Sequence, residues 1–220
     1  MIEEAYASDL ERLQALARDL APDLRERIRA EVRPLSATVL AALAPAAPAT
    51  GVLAIARRPW LDPAVLLSGP QAAPVVLLES PSHLGNLGAV VRVAAAAGAA
   101  AVLATGLQDP WHPAALRGSA GLHYALPVAR IDELPATGRP LLALDPDGEP
   151  LEPAAIPAGA VLAFGSERRG LGRALLERAD RRLAIPMQAG VSSLNLATAV
   201  TVALYAWRLG GGLAGLDHAL

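Results

Sequence analysis

The sequence predicts an α/β protein built on a parallel sheet that is covered on both faces. Short, continuous apolar runs recur at Val75–Leu78, Ala100–Ala104, Ala125–Val128, Leu141–Leu144, Ala160–Ala163 and Leu183–Ile185. A run that does not alternate suits a strand buried on both sides. Helical stretches fall between these runs: Leu87–Ala97 closed by Gly98, Pro113–Gly118, Arg173–Ala179, and Leu194–Leu209 closed by Gly210-Gly211-Gly212. Of the 220 residues, 53% are hydrophobic and 18% charged, enough apolar content for a substantial core. Aromatics make up only 3%, so that core is expected to consist of small and aliphatic side chains.

The first third of the chain has a different texture. Ser8 and Glu11 form an SxxE pattern that predicts a capping box. Leu10, Leu13, Leu16 and Leu20 follow at helical spacing, and Pro22 ends or restarts the helix before Leu24 and Ile28 extend its apolar face. A second short helix is expected over Ser36–Leu43, a linker or turn over Ala44–Thr50, and a short strand over Gly51–Ile55. Asp145–Pro157 reads as a Pro/Gly/Asp loop. The expected division is an N-terminal domain over 1–58, a linker over 59–70 and the main domain over 71–220.

Composition removes several function classes. There is no cysteine, hence no disulfide, thiolate metal site or cysteine nucleophile. His83, His112, His123 and His218 lack the spacing of a zinc motif, so no metal is expected. No apolar run reaches the roughly 18 residues a membrane span needs. The start, Met1-Ile2-Glu3-Glu4, lacks the basic-then-apolar pattern of a signal peptide, so a cytoplasmic location is expected. The net charge of −2 is unhelpful for nucleic-acid binding unless arginines cluster locally, as at Arg57-Arg58, Arg168-Arg169 and Arg181-Arg182.

Ligands of open parallel sheets sit at the carboxyl ends of the strands. Three loops there concentrate glycine and polar residues: 81–89, leading into a helix with Arg92; 165–172; and 186–195, opening the final helix. None is a common nucleotide motif. The first lacks GxGxxG, and the second has the Gly165/Gly170 spacing of a P-loop but continues Leu171-Gly172 rather than Lys and Ser/Thr.

Together the loops resemble the three motifs of the TrmH-like branch of the SPOUT RNA methyltransferases. Asn86, Gly88, Ala89 and Arg92 match N-x-G-A-x-x-R. Gly165, Ser166, Glu167, Gly170 and Leu171 match G-S-E-x-x-G-L. Ile185, Pro186, Met187, Ser193, Leu194 and Asn195 match I-P-M-x-x-x-x-x-S-L-N. Ser119 and Gly121, ahead of Pro127, resemble the family's intervening Ser/Gly-then-Pro region. The resemblance covers about residues 71–209. Val93 departs from the threonine of many relatives, and Arg168 from a frequent glycine.

The resemblance implies a parallel-sheet α/β-knot domain with a C-terminal trefoil knot, an exception to the avoidance of threaded loops. It implies transfer of a methyl group from S-adenosyl-L-methionine to a ribose 2′-hydroxyl of RNA. It also implies a homodimer formed through the knot region, with Trp207 and Tyr205 of the last helix suited to the contact. Gly165, Ile185 and Leu194 are then expected to hold the cofactor through backbone groups, with Thr105 and Met187 lining its pocket. Arg92 is expected to engage phosphate and 2′-hydroxyl as an orienting and electrostatic group, since free arginine is a very poor base. Asn86, Glu167, Ser193 and Asn195 are expected to orient Arg92 and the ribose. Thr50–Ile55 and Ile2–Ala7 resemble the last and a middle strand of the small RNA-binding domain found in ribosomal-RNA relatives, with its first strand and helix missing. This favours ribosomal over transfer RNA. The competing readings are a catalytically inactive RNA-binding or assembly factor of the same fold and a nucleotide enzyme of ordinary dinucleotide-binding type.

Overall fold

The computed structural model describes residues 2–43, 48–68, 72–152 and 155–212. The chain forms two compact units, Met1–Trp60 and Leu61–Leu220. In the first, strand β1 (Ile2–Ala7) lies between β2 (Val32–Pro34), parallel to it, and β3 (Val52–Ala56), antiparallel. Helices α1 (Leu10–Leu20), α2 (Arg25–Glu31) and α3 (Ala37–Leu43) connect them. The expected Ser8/Glu11 box does not form. Asp9 is the N-cap, its carboxylate accepting from the Arg12 N–H at 2.9 Å, because the Ser8 N–H is committed to Gly51 O at 2.8 Å. Pro22 restarts the chain as a 3₁₀ turn before α2, and Ser36 Oγ accepts from Val39 N at the start of α3. The middle of the expected 44–50 linker, residues 44–47, lies outside the described residues.

The second unit opens with α4 (Pro63–Ser68) and holds a six-stranded sheet, all of it parallel. Its strands are β4 (Val75–Leu78), β5 (Ala101–Ala104), β6 (Val128–Arg130), β7 (Leu141–Pro150), β8 (Val161–Phe164) and β9 (Arg181–Ala184), in spatial order β6-β5-β4-β8-β7-β9. Alternate residues of the central strands feed two separate cores. Val76, Leu78, Val102, Leu162 and Phe164 pack with α5 (Leu84–Ala97), α6 (Pro113–Gly118) and α8 (Leu196–Trp207). Val75, Leu77, Leu103 and Val161 pack under α4 and α7 (Arg173–Arg178). Burial on both faces is why these strands read as unbroken apolar runs, each buried leucine contributing about 1.5–3 kcal/mol.

The strand order separates this sheet from the dinucleotide-binding one. There the fourth and fifth strands run outward in sequence. Here β8 inserts between β4 and β7, and the chain then returns to place β9 outside β7. The ordinary dinucleotide-binding reading fails on this exchange.

Four boundaries move. Helix α5 begins at Leu84 rather than Leu87, and α8 at Leu196, where the Asn195 side chain caps Ala197 N at 2.9 Å. The expected 125–128 strand is displaced to β6. Residues Leu122–Tyr124 form a 3₁₀ turn, and Pro127, with no N–H to give, enters the ladder only by accepting from Val102 N. The expected 145–157 loop is partly strand, since β7 continues to Pro150 with a register step between Leu144 and Glu149. Trp207, expected at a dimer contact, is instead a core residue at 1% exposure, whereas Tyr205 is 37% exposed. Among the described residues no helix is long and apolar enough to cross a membrane.

Gly88 sets the distance between two helices. A Cβ there would stand 2.2 Å from Ala115 O and 2.9 Å from Gly118 Cα, both backbone atoms. Gly88→Ala is therefore expected to lower stability by about 1–3 kcal/mol, the usual cost of overpacking, as read from chemical denaturation. Gly85→Ala on the same helix meets nothing within 4 Å and serves as its control.

Candidate active site

The three polar loops meet at one end of the sheet. The first follows β4 and runs into α5, the second joins β8 to α7, and the third joins β9 to α8. A single hydrogen-bond chain connects them. Ser82 N donates to Glu167 Oε2 at 2.9 Å, Asn86 Nδ2 donates to Glu167 Oε1 at 2.8 Å, and Asn195 Nδ2 donates to Asn86 Oδ1 at 3.0 Å. The amide orientations follow from the ends of the chain: a carboxylate only accepts, and the Ala197 and Thr198 N–H groups at Asn195 Oδ1 only donate.

Burial pushes the Glu167 carboxyl upward. The Asn86 amide, the Ser82 N–H and the lesser hydrogen bonds together outweigh it and hold the group at about 2. A carboxylate this weakly basic is no proton acceptor at neutral pH, so its work is to hold two loops together. The depressed value contributes stability that is fully present above the ordinary value of 4.5 and is lost as pH falls toward 2. Wild type is accordingly expected to lose melting temperature more steeply than Glu167→Gln between pH 4.5 and 2, by thermal unfolding across that window.

Beside this chain opens a cleft of about 450 Å³ at the ends of β7, β8 and β9. Leu144, Phe164, Leu183, Ile185, Leu194 and Leu196 give it apolar walls, while Asp145, Glu167, Arg168 and Ser193 give it a polar rim. Loop 165–170 closes on itself, with Ser166 and Gly170 exchanging hydrogen bonds of 3.1 and 3.0 Å. Gly165 is required by that closure. A Cβ on it would lie 1.9 Å from the Gly170 carbonyl carbon.

Of the residues singled out in the sequence, Gly165, Ile185, Met187, Leu194, Glu167 and Ser193 line this cleft. Asn86 and Asn195 stand behind Glu167 in the hydrogen-bond chain. Two residues lie elsewhere. Thr105 follows β5 directly, and β4 stands between β5 and β8; the Thr105 hydroxyl accepts the Ser80 N–H at 3.1 Å and holds the first loop. Arg92 is exposed on α5 and, among the described residues, makes no hydrogen bond or ion pair and does not line the cleft. Ser119 is also structural: it is fully buried, 2.6 Å from His123 Nδ1, whose Nε2 donates to Pro110 O at 2.7 Å. Burial lowers the His123 pKa, keeping that ring neutral. Sequence reasoning missed Asp145. Its place directly after the Leu141–Leu144 run, at a strand's carboxyl end, was the available signal.

The cleft fits a flat, partly apolar ligand with hydrogen-bonding edges. Among the described residues, the peptide groups of Gly165, Ile185 and Leu194 make no hydrogen bond within the chain, so donors and acceptors border an apolar slot. No cluster of three or more histidines, aspartates and glutamates able to hold a metal occurs among those residues.

Comparison with known proteins agrees with this arrangement. Residues 73–205 match the model of the SpoU rRNA Methylase family. An uncharacterized tRNA/rRNA methyltransferase of Mycobacterium bovis is 38% identical over 169 residues, 70% of this chain and 58% of the relative. The 23S rRNA (guanosine(2553)-2′-O)-methyltransferase RlmP of Bacillus subtilis is 35% identical over 143 residues, 61% of this chain and 57% of the relative. The chain thus spans less than two thirds of the length of either curated relative. The SpoU methyltransferase AviRb of Streptomyces viridochromogenes, solved in complex with AdoMet, superposes with a TM-score of 0.74 at 26% identity, over 95% of this chain and 83% of that one. The match spans all three polar loops, and the chain belongs to the SpoU rRNA methylase family.

Proposed function

We propose that this protein is an S-adenosyl-L-methionine-dependent methyltransferase acting on a ribose 2′-hydroxyl of RNA, with ribosomal RNA as the favoured substrate class. The observation that carries the reading is the convergence of the second and third motif loops on one apolar cleft with unpaired peptide groups at its edge, the first loop being tied to them through Glu167. The names of RlmP and of the Streptomyces viridochromogenes 23S rRNA (uridine(2479)-2′-O)-methyltransferase support the reaction class and the substrate. Peptide groups of Gly165, Ile185 and Leu194 hold the adenosine edge, and Met187 and Leu196 pack against it. When bound, the donor supplies an electrophilic methyl group, so the chain's own task is placement. Ser193 and the Asn86–Glu167–Asn195 set orient the ribose, and Arg168, exposed at the cleft rim, meets RNA phosphate together with its exposed neighbour Arg169. Of the other arginine pairs, Arg57 is bound to Glu3 at 2.6 Å and Arg181 to Glu149 at 2.9 Å.

The working form is a homodimer in this reading, and Arg92 is the reason. The guanidinium stands six residues, or roughly 9 Å of helix rise, beyond Asn86 on an exposed face. The neighbouring α8 exposes Val202 and Tyr205 in one stripe, and Leu209, just beyond its end, is exposed as well. A second copy packed on that face covers the stripe and receives Arg92 at its own cleft, where it anchors phosphate and 2′-hydroxyl. The exchange of β7 and β8 in the strand order, with β9 returning outside β7, supports threading of the C-terminal segment into a trefoil knot. The unit ending at Trp60 is proposed as an RNA-binding domain corresponding to the expected 1–58, and the methyltransferase domain is the expected 71–220 extended back to Leu61, because α4 inside the expected 59–70 linker packs into its core.

The test is incubation of the purified chain with methyl-labelled S-adenosyl-L-methionine and either ribosomal or transfer RNA from cells lacking the gene. Label is expected in ribosomal RNA, at an alkali-resistant 2′-O-methyl position. Donor binding without incorporation into either RNA would favour the inactive assembly-factor reading instead.

A further inference from the structure

Glu79 belongs to none of the three motifs, yet it touches both ends of the second loop. Its peptide N–H donates to Phe164 O at 2.8 Å, at the residue before Gly165, and its carboxylate accepts the N–H of Gly172, where the loop ends. Gly172 begins α7 without any side-chain cap of its own, so Glu79 satisfies that end from another element. The absence of a side chain at 172 makes room for the contact. A Cβ there would stand 2.9 Å from Glu79 Oε1. The middle of the same loop is held through Glu167 by Ser82 and Asn86, which follow Glu79 along the chain. Segment 79–86 therefore grips loop 165–172 at its entry, middle and exit. The segment is itself constrained, with Ser80 in the left-handed region at φ 50° and its N–H taken by Thr105.

We propose that Glu79 is a positioning residue for the methyl donor: its carboxylate fixes the exit of loop 165–172 and thereby presents Gly165 and its neighbours in their binding geometry. This rests on the reading that the cleft binds S-adenosyl-L-methionine. Glu79 itself does not line the cleft, so its effect on the donor passes through the loop. Side-chain length decides the outcome. Glu79→Gln keeps an oxygen at the same reach, whereas Glu79→Asp keeps the charge and falls short of Gly172 by one methylene.

The experiment measures three quantities on the full chain and each variant: calorimetric affinity for S-adenosyl-L-methionine, hydrogen exchange of peptides covering 165–172, and melting temperature. Glu79→Ala and Glu79→Asp are expected to raise the donor Kd roughly 10-fold, the effect of losing one charge-assisted hydrogen bond, with faster exchange at Gly172. Glu79→Gln is expected to stay within about threefold of wild type, since one acceptor replaces another. If Glu79→Ala does not fold, Glu79→Asp carries the comparison. Unchanged exchange in the short variant, faster exchange with unchanged affinity, or a glutamine variant as impaired as the aspartate one overturns the proposal. A wild-type chain that does not bind S-adenosyl-L-methionine overturns the donor reading and the affinity claim with it, and Gly172 exchange then decides whether the clasp exists.

Discussion

Arg92→Ala is expected to lower methyl transfer by roughly 10²-fold or more while S-adenosyl-L-methionine binds at near wild-type affinity. The separation follows from position. Arg92 is exposed on α5 and is absent from the lining of the cleft of its own chain, so its loss leaves the donor's surroundings intact. What disappears is a fixed cation that grips phosphate and favours the developing negative charge on the attacking oxygen. Single-turnover transfer measured beside calorimetric donor binding checks both halves. Equal loss of binding and transfer would show that Arg92 supports the cleft rather than the chemistry.

Gly165→Ala is expected to do the reverse and weaken donor binding at least about 10-fold, with a stability loss of about 1–3 kcal/mol. The added methyl would lie 1.9 Å from the Gly170 carbonyl carbon and 2.2 Å from Leu171 N, atoms that belong to the backbone and cannot rotate away. The loop must open, and the peptide groups it presents move with it. Gly170 sits at φ 65°, so the turn has no spare backbone conformation with which to absorb the strain.

The two variants together test the dimer. In a mixed population, a dimer of one Arg92→Ala chain and one Gly165→Ala chain has one cleft with both defects and one cleft with neither, provided Arg92 acts across the interface. At donor concentrations well below the Kd of Gly165→Ala, where both preparations are impaired, activity is then expected to rise on mixing them under exchange conditions. If Arg92 serves its own cleft, each site in the mixed dimer retains one defect and nothing is recovered. Sedimentation of wild type, which is expected to give a dimer, supplies the companion measurement.

Several features were legible in the chain alone because they depend on local pattern. Unbroken apolar runs marked β4, β5 and β8 to within one residue, since two-sided burial leaves no room for alternation, whereas they caught only part of β7 and β9. Gly98 marked the end of α5 because its φ of 76° suits glycine best. The motif spacings named the residues that gather at the cleft, Gly165, Glu167, Ile185, Met187, Ser193 and Leu194.

The rest depended on residues far apart in sequence. Strand order is set by which apolar faces find each other, and no local window contains the exchange of β8 and β7. The resemblance put Thr105 beside the cofactor, but only the order of strands shows β4 standing between it and Gly165. Trp207 looked like a contact for a second copy until the packing of α8 on α5 enclosed it. Glu79 and Gly172 are 93 residues apart, and their hydrogen bond exists because two strands lie side by side. Local sequence thus chose the elements and their chemistry. Long-range packing, which places strand ends next to one another, chose which of those groups share a site.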